Sequence, residues 1–282
     1  LVTVHPAGCR GMEMPTAMMG DGARLLNTDG ERFMQRYNPE HGEKRIEKAR
    51  LSLCIQREID AGRGLADGTV LLDTTAMPPD QLESYVSHCR RLRAAGLDPA
   101  TEMVQVRPAA HSEMGGIFID ESGWTGVGGL YAGGEAAGGI HGASRLAGNG
   151  GGETVVFGGL VGRGAAAGML EPQDRNWARI EAAAAAPIEA LIGASSEVEP
   201  AAIKKALRAI MSRTAGLYRD QQGLRQGIEE LAALQGQIEA GLRAQDLGGA
   251  IAAREARNMV LAARMITMAA LARTESRGAH QR

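Results

Sequence analysis

The sequence predicts an α+β protein (mixed α/β) that ends in a helical bundle. Three observations carry this reading. Short β-type runs alternate with helical segments over residues 1–103, glycine crowds the stretch from Gly115 to Gly168, and everything beyond residue 171 is Ala-rich with helical periodicity. The 282 residues are enough to bury a real core in one large domain or two smaller ones.

The elements follow in order. Arg50 to Ile59 has helical spacing and stops at the Gly62-Arg63-Gly64 break. Thr69 to Leu72 reads as a strand, and Pro79 to Ala95 as one helix closed by Gly96 and Pro99. Val104 to Val106 and Ile117 to Ile119 are short strand candidates around a Met114-Gly115-Gly116 turn. Gly129 to Ala132 is another, followed by Gly133-Gly134-Glu135. Glu153 to Met169 reads as a buried helix. Its glycines each cost about 1 kcal/mol of helix propensity, which implies that backbone or a ligand packs closely there. Four helices follow: Trp177 to Leu191, Pro200 to Tyr218, Gly223 to Ala244 and Ile251 to Arg273. In the last, Met259, Ala263, Ile266 and Ala270 share a face.

Composition narrows the function. A net charge of −2, with Lys and Arg scattered, gives no field for nucleic acid or an anionic membrane, and 3% aromatics is too few for a base-stacking surface. Cys9, Cys54 and Cys89 are far apart, which fits a reducing compartment better than a disulfide framework. The six histidines lack metal-ligand spacing, so no metal site is expected; His41 and His88 read as surface residues. No apolar run is long and charge-free enough to span a bilayer. A start at Leu1, close to a strand end, reads as a fragment.

The chemistry-bearing residues gather in the glycine-rich stretch. His111 precedes a Gly-Gly turn, and His141 and Arg145 lie in a loop that runs through Gly148-Asn149-Gly150-Gly151-Gly152 into a helix. A first helical turn offers N–H groups and the positive end of the dipole. A guanidinium beside it adds a bidentate fork for a carboxylate, and an imidazole can donate a hydrogen bond. Together they describe a site for a small acid next to a cofactor. On spacing alone, a structural loop with a surface Arg and two satisfied histidines stays open as well.

The same residues resemble a known family. Arg107-Pro108-Ala109-Ala110-His111-Ser112-Glu113-Met114-Gly115-Gly116-Ile117 is similar to R-P-A-A-H-Y-x-M-G-G-I, and Gly129 to Glu135 to G-L-Y-A-x-G-E. His141-Gly142-Ala143-Ser144-Arg145-Leu146-Ala147-Gly148-Asn149 resembles H-G-A-N-R-L-x-x-N. Asn27 to Tyr37, with Gly30-Glu31-Arg32-Phe33-Met34, Glu58-Ile59 with Gly62-Arg63-Gly64, and Arg273 to His280 match further blocks. These blocks, in order over almost the whole chain, are those of the succinate dehydrogenase and fumarate reductase flavoprotein subunits, a family that includes L-aspartate oxidase.

The resemblance implies FAD as cofactor and a small dicarboxylate as substrate. It implies that His111, Arg145 and His5 (in His5-Pro6) touch substrate, and that Gly134, Glu135, Asn149, Gly150 and Gly151 face FAD. It also implies the end of a capping or substrate domain over 1–103, the C-terminal part of an FAD-binding domain over 104–170 and a helical domain over 171–282. The resemblance implies an iron–sulfur electron-transfer subunit as a partner, since family members often hand electrons to one; nothing in this chain ligates a cluster, so electrons would leave through another chain or to a soluble acceptor. The implied location is cytoplasmic, at the inner face of the membrane if a partner holds it there.

Three departures stand out. No GxGxxG follows a strand, so the residues present form one wall of an FAD site. Anchoring on Ile55, Glu58 and Ile59 puts Lys48 where the family carries a proton-shuttling Arg. Arg50 and Arg45 lie nearby, and Lys lacks the planar fork of Arg. Finally, Pro15 to Ala23 stands in place of T-E-G-x-R-G-E-G-G and keeps only Asp21 as an acid. The main expectation is hydride transfer between flavin and a dicarboxylate, with His111 and Arg145 clamping the acid and Lys48 or a nearby Arg donating the proton. An L-aspartate or other carboxylic-acid oxidase, and a non-catalytic assembly subunit, are the alternatives.

Overall fold

A computed structural model of the chain describes residues 1–146, 148–169, 176–192 and 196–282. Ala147, within the His141–Asn149 block, and the 170/171 domain boundary lie outside the described residues. The chain forms two compact units, Leu1–Glu113 and Met114–Arg282.

The first unit is built on a four-stranded antiparallel sheet. Its strands are β1 (Val2–Val4), β2 (Arg24–Leu26), β3 (Val70–Asp73) and β4 (Val104–Pro108), in the order β1-β4-β3-β2. Val106 pairs with both Val4 and Val70, and Leu25 pairs with Leu72. All five of these residues are fully buried or nearly so, as β-branched and aliphatic residues at the centre of a sheet should be. After the short α1 (Met34–Tyr37), helix α2 (Lys48–Asp60) packs on β1, β3 and β4, with Leu51 and Ile55 of α2 buried in a core of methionine, leucine and Phe33. The segment expected as one helix from Pro79 to Ala95 is two, α3 (Pro79–Ser84) and α4 (Val86–Ala94). The break falls at Tyr85, whose ψ of 49° leaves the helical region and whose hydroxyl donates to Asp21 Oδ2 at 2.5 Å.

The second unit opens with loops held by isolated bridges, Ile117↔Ala137 and Trp124↔Tyr131. The strand candidates at 117–119 and 129–132 therefore do not extend into strands. Helix α5 (Asn149–Ala167) follows, then α6 (Trp177–Ile192), α7 (Pro200–Thr214), α8 (Gln221–Ala240) and α9 (Leu247–Ala272). Helices α8 and α9 start on aspartates: the carboxylates of Asp220 and Asp246 accept from the N–H of Gly223 and Gly249, each at 2.8 Å. Ala253, Ala256, Val260, Ala263, Thr267 and Ala270 form the buried stripe of α9, meeting Ile203, Leu207 and Leu231. Small residues on that stripe let the helices approach closely. No helix among the described residues is long and apolar enough to cross a membrane.

Two expectations are corrected. Helix α5 is not buried in this chain: Glu153 is its one buried residue among those described, and Val155 is 79% exposed. A mean composition that is apolar all round reads as interior, but here only one flank is packed. Its glycines serve that flank, since a Cβ on Gly164 would run into the Ser122 carbonyl. His88 is the second case, being 5% exposed rather than on the surface. Burial holds its imidazole below the ordinary histidine pKa.

Candidate functional site

In the first unit, a short extended run follows the turn after β1. Val4 N–H donates to Met12 O at 2.8 Å and Met14 N–H to Val2 O at 2.9 Å, with Thr3 bridged to Glu13 between them. Met12 and Met14 are buried, so alternation turns Glu13 outward. There its carboxylate meets Lys48, the first residue of α2: Lys48 Nζ lies 2.7 Å from Glu13 Oε1. Glu13, Pro15, Thr16, Ala17 and Lys48 line a pocket of about 380 Å³. The hydrogen bond from Lys48 holds the Glu13 carboxyl below the usual carboxylate range, helped by the charges of Lys48, His111 and the Leu1 amino group, and against its own desolvation. His111 thus lies within electrostatic reach of this pair and is itself exposed. His5 Nε2 lies 3.6 Å from Asp67 Oδ2.

A second acidic centre in this unit is structural. Glu58 is fully buried on α2 and accepts from Arg63 Nε and Nη2 (2.8 and 2.7 Å), Arg36 Nη1 (2.8 Å), Tyr37 Oη (2.7 Å) and Asn27 Nδ2 (3.2 Å). Burial opposes its charge, but the bonds from Arg63, Tyr37 and Asn27 outweigh burial and hold it at about 2. This network is what the Asn27–Tyr37 and Glu58–Gly64 sequence blocks encode.

In the second unit, Gly148 takes φ +85° as the N-cap of α5, a left-handed turn that lets the loop enter the helix. Arg145 folds back over that helix start: a Cβ on Gly150 would sit 3.2 Å from its Nη1. A guanidinium and the positive end of a helix dipole thus share one spot, which is unfavourable for them alone and favourable once an anion joins them. Asn149 N–H donates to Leu146 O at 3.2 Å and Gly151 N–H to Gly148 O at 3.1 Å, both long turn bonds. A Cβ on Gly151 or Gly152 would meet no described atom within 4 Å, so the helix start is an open, side-chain-free surface. His141 fixes the loop, its Nε2 2.7 Å from Oε2 of the buried Glu153 one turn into α5. Gly134 and Glu135 lie in a 3-10 turn, Gly134–Ala136, where Glu135 is exposed.

Sequence reasoning missed Glu13 and Glu153. Glu13 had a signal, an acid between two methionines in alternation, with the buried face fixed by its neighbours. Glu153 had a helical one, an acid one turn after a glycine-rich helix start. Asp21, the retained acid of its segment, is engaged by Tyr85, whose hydroxyl burial and Asp21 together push up to about 12.

Comparison with known proteins places these features. Residues 1–150 match the family model of an FAD binding domain, and residues 204–282 that of the fumarate reductase flavoprotein C-terminus. A fumarate reductase (CoM/CoB) of Methanothermobacter marburgensis contains a chain that is 34% identical over 99% of this one and 51% of its own length. An L-aspartate oxidase of Rhodospirillum rubrum is 36% identical over 92% of this chain and 83% of its own length. A quinol–fumarate reductase solved with menaquinol molecules superposes with a TM-score of 0.86 at 29% identity, over 100% of this chain and 53% of that one. The chain belongs to the succinate dehydrogenase/fumarate reductase flavoprotein family of FAD-dependent oxidoreductases, which includes L-aspartate oxidase. It spans about half the length of the first relatives it matches, 51% and 52%.

Proposed function

We propose that the protein to which this chain belongs moves a hydride between FAD and a small dicarboxylate. The observation that supports this most is the Arg145 guanidinium lying over Gly150 at the start of α5, a cationic spot on an open, glycine-lined surface. The residues present fit one wall of a flavin site. Gly151 and Gly152 leave room for a flat ring, the helix dipole favours the anionic pyrimidine edge of a reduced flavin, and Glu135 is exposed for a ribityl or ribose hydroxyl. Gly134 and Asn149 would complete that wall.

FAD, when bound, supplies the two-electron redox chemistry. The chain's own residues bind and orient. Arg145 would take one substrate carboxylate in a bidentate grip, while His111 and His5 would hold the other and draw developing charge onto it. Lys48 would exchange the proton at the neighbouring carbon. The division into a substrate-domain part (1–103), an FAD-domain part (104–170) and a helical part (171–282) belongs to this reading. So do an iron–sulfur partner that takes or gives electrons and a position at the inner face of a membrane through that partner. An L-aspartate oxidase is the second reading, favoured by the Rhodospirillum relative.

The test is to purify the full-length protein, look for flavin absorbance, and follow flavin oxidation and reduction with fumarate, succinate and L-aspartate. Dicarboxylate-dependent turnover that falls by roughly a hundredfold or more in Arg145→Ala is expected. Unaltered turnover in that variant contradicts the clamp, and oxygen consumption with L-aspartate alone selects the second reading.

A further inference from the structure

Lys48 opens α2, and a cation there faces the positive end of the helix dipole. The helix supplies no remedy of its own: its first turn holds no acidic residue, and the N-cap Glu47 makes no side-chain cap. The remedy comes from another element. Glu13 is pinned by backbone pairing to β1 and reaches Lys48 Nζ at 2.7 Å. Both side chains are about half exposed, 46% for Glu13 and 52% for Lys48, so the pair adds little stability. Its effect is on position: the lysine stem, otherwise free to sample many rotamers, is held in the lining of the pocket that Thr16 also lines. Asp21 does not do this, since Tyr85 already donates to it.

We propose that Glu13 is the positioning residue for Lys48, holding its ammonium at the pocket that Thr16 lines so that it can deliver the substrate proton. This rests on the reading of Lys48 as proton donor. In the reducing direction a Lys48 N–H bond breaks and its proton forms a C–H bond on one carbon of the substrate C=C. The hydride, which a bound reduced flavin would supply, forms the C–H bond on the other carbon. Lys48 is left as a neutral amine and regains a proton from water, while Glu13 remains a carboxylate throughout. The other charged groups facing the pair are His111 and the Leu1 amino group, with His88 buried behind the Glu13 backbone.

The experiment uses the full-length flavoprotein and its Glu13→Gln and Lys48→Ala variants, with flavin absorbance as a check that FAD content is unchanged. Two readouts are taken: kcat and KM with fumarate, and the rate at which an amine-acylating ester labels Lys48, followed by mass spectrometry. Removing the carboxylate frees the lysine stem to sample other rotamers. Glu13→Gln should lower kcat roughly tenfold or more and change KM less. It should also speed Lys48 labelling roughly threefold, because the amine is no longer held in the ion pair. Full turnover in Lys48→Ala overturns the donor reading itself. Loss of turnover in Lys48→Ala, with wild-type kcat and labelling in Glu13→Gln, overturns the role of Glu13 and leaves the donor reading standing.

Discussion

Gly278 and Ala143 are in contact through backbone alone. Ala279 N–H donates to Ala143 O at 2.9 Å, Gly278 takes φ +56°, and a Cβ at Gly278 would run into that same Ala143 carbonyl. The end of the chain therefore braces the loop that carries Arg145. The brace is tied to the helices in turn, with His280 buried against Arg219 Nη1 at 2.9 Å and Arg219 N–H on Gln281 O at 2.9 Å.

A Gly278→Ala change combines a left-handed backbone with a collision, a strain of about 1–3 kcal/mol. On the proposed function it is expected to raise KM for the dicarboxylate roughly tenfold while kcat falls less, because it would displace Arg145, proposed to bind substrate, and not Lys48, proposed to donate the proton. Steady-state kinetics of the full-length protein check this. An unchanged KM means the brace does not set Arg145.

Glu58→Gln should destabilise the first unit, because a fully buried carboxylate that accepts from Arg63, Arg36, Tyr37 and Asn27 loses its charge. Native Glu58 also sets an acid limit. Its folded-state value of about 2 lies below that of an unfolded glutamate, so its contribution is complete above about 4.3 and is lost as pH falls toward 2. Denaturant unfolding of wild type and variant between roughly pH 6 and pH 2, a range that brackets those values, measures both effects.

Glu153→Ala removes the partner of His141 from a nearly closed site, where the side chains are 4% and 14% exposed. The expected cost is about 1–3 kcal/mol and a weaker grip on dicarboxylates, since the loop to Arg145 loses its tie to α5. Thermal melting and ligand titration read the two effects separately.

Gly164→Val should loosen α5 from the Ser122 loop, because any Cβ there meets a backbone carbonyl that cannot step aside. Reduced FAD content at equal protein concentration is the expected result, read from the ratio of flavin to protein absorbance.

Much of this was legible in the sequence wherever one force decided the outcome. The periodic burial of α7, α8 and α9 and the sheet strands at 70–73 and 104–108 follow from apolar spacing, and the glycine-rich entry to α5 follows from backbone chemistry. What was not legible depended on distant partners. The kink at Tyr85 needs Asp21, 64 residues away, and the pair of Glu13 and Lys48 spans 35. The burial of His88 depends on which face of α4 turns inward with Cys89 and Leu92. The exposure of α5 is the converse case, since its composition fits an interior helix and this chain covers one flank of it.

The proposed function requires that His111 and Arg145 each contribute to binding the dicarboxylate. The most direct measurement is the binding of succinate to the full-length protein by flavin difference titration, in wild type, His111→Ala, Arg145→Ala and the double variant. The account predicts that each single change weakens binding roughly tenfold or more, and that the double change costs less than the sum of the two. Wild-type affinity in either single variant contradicts it.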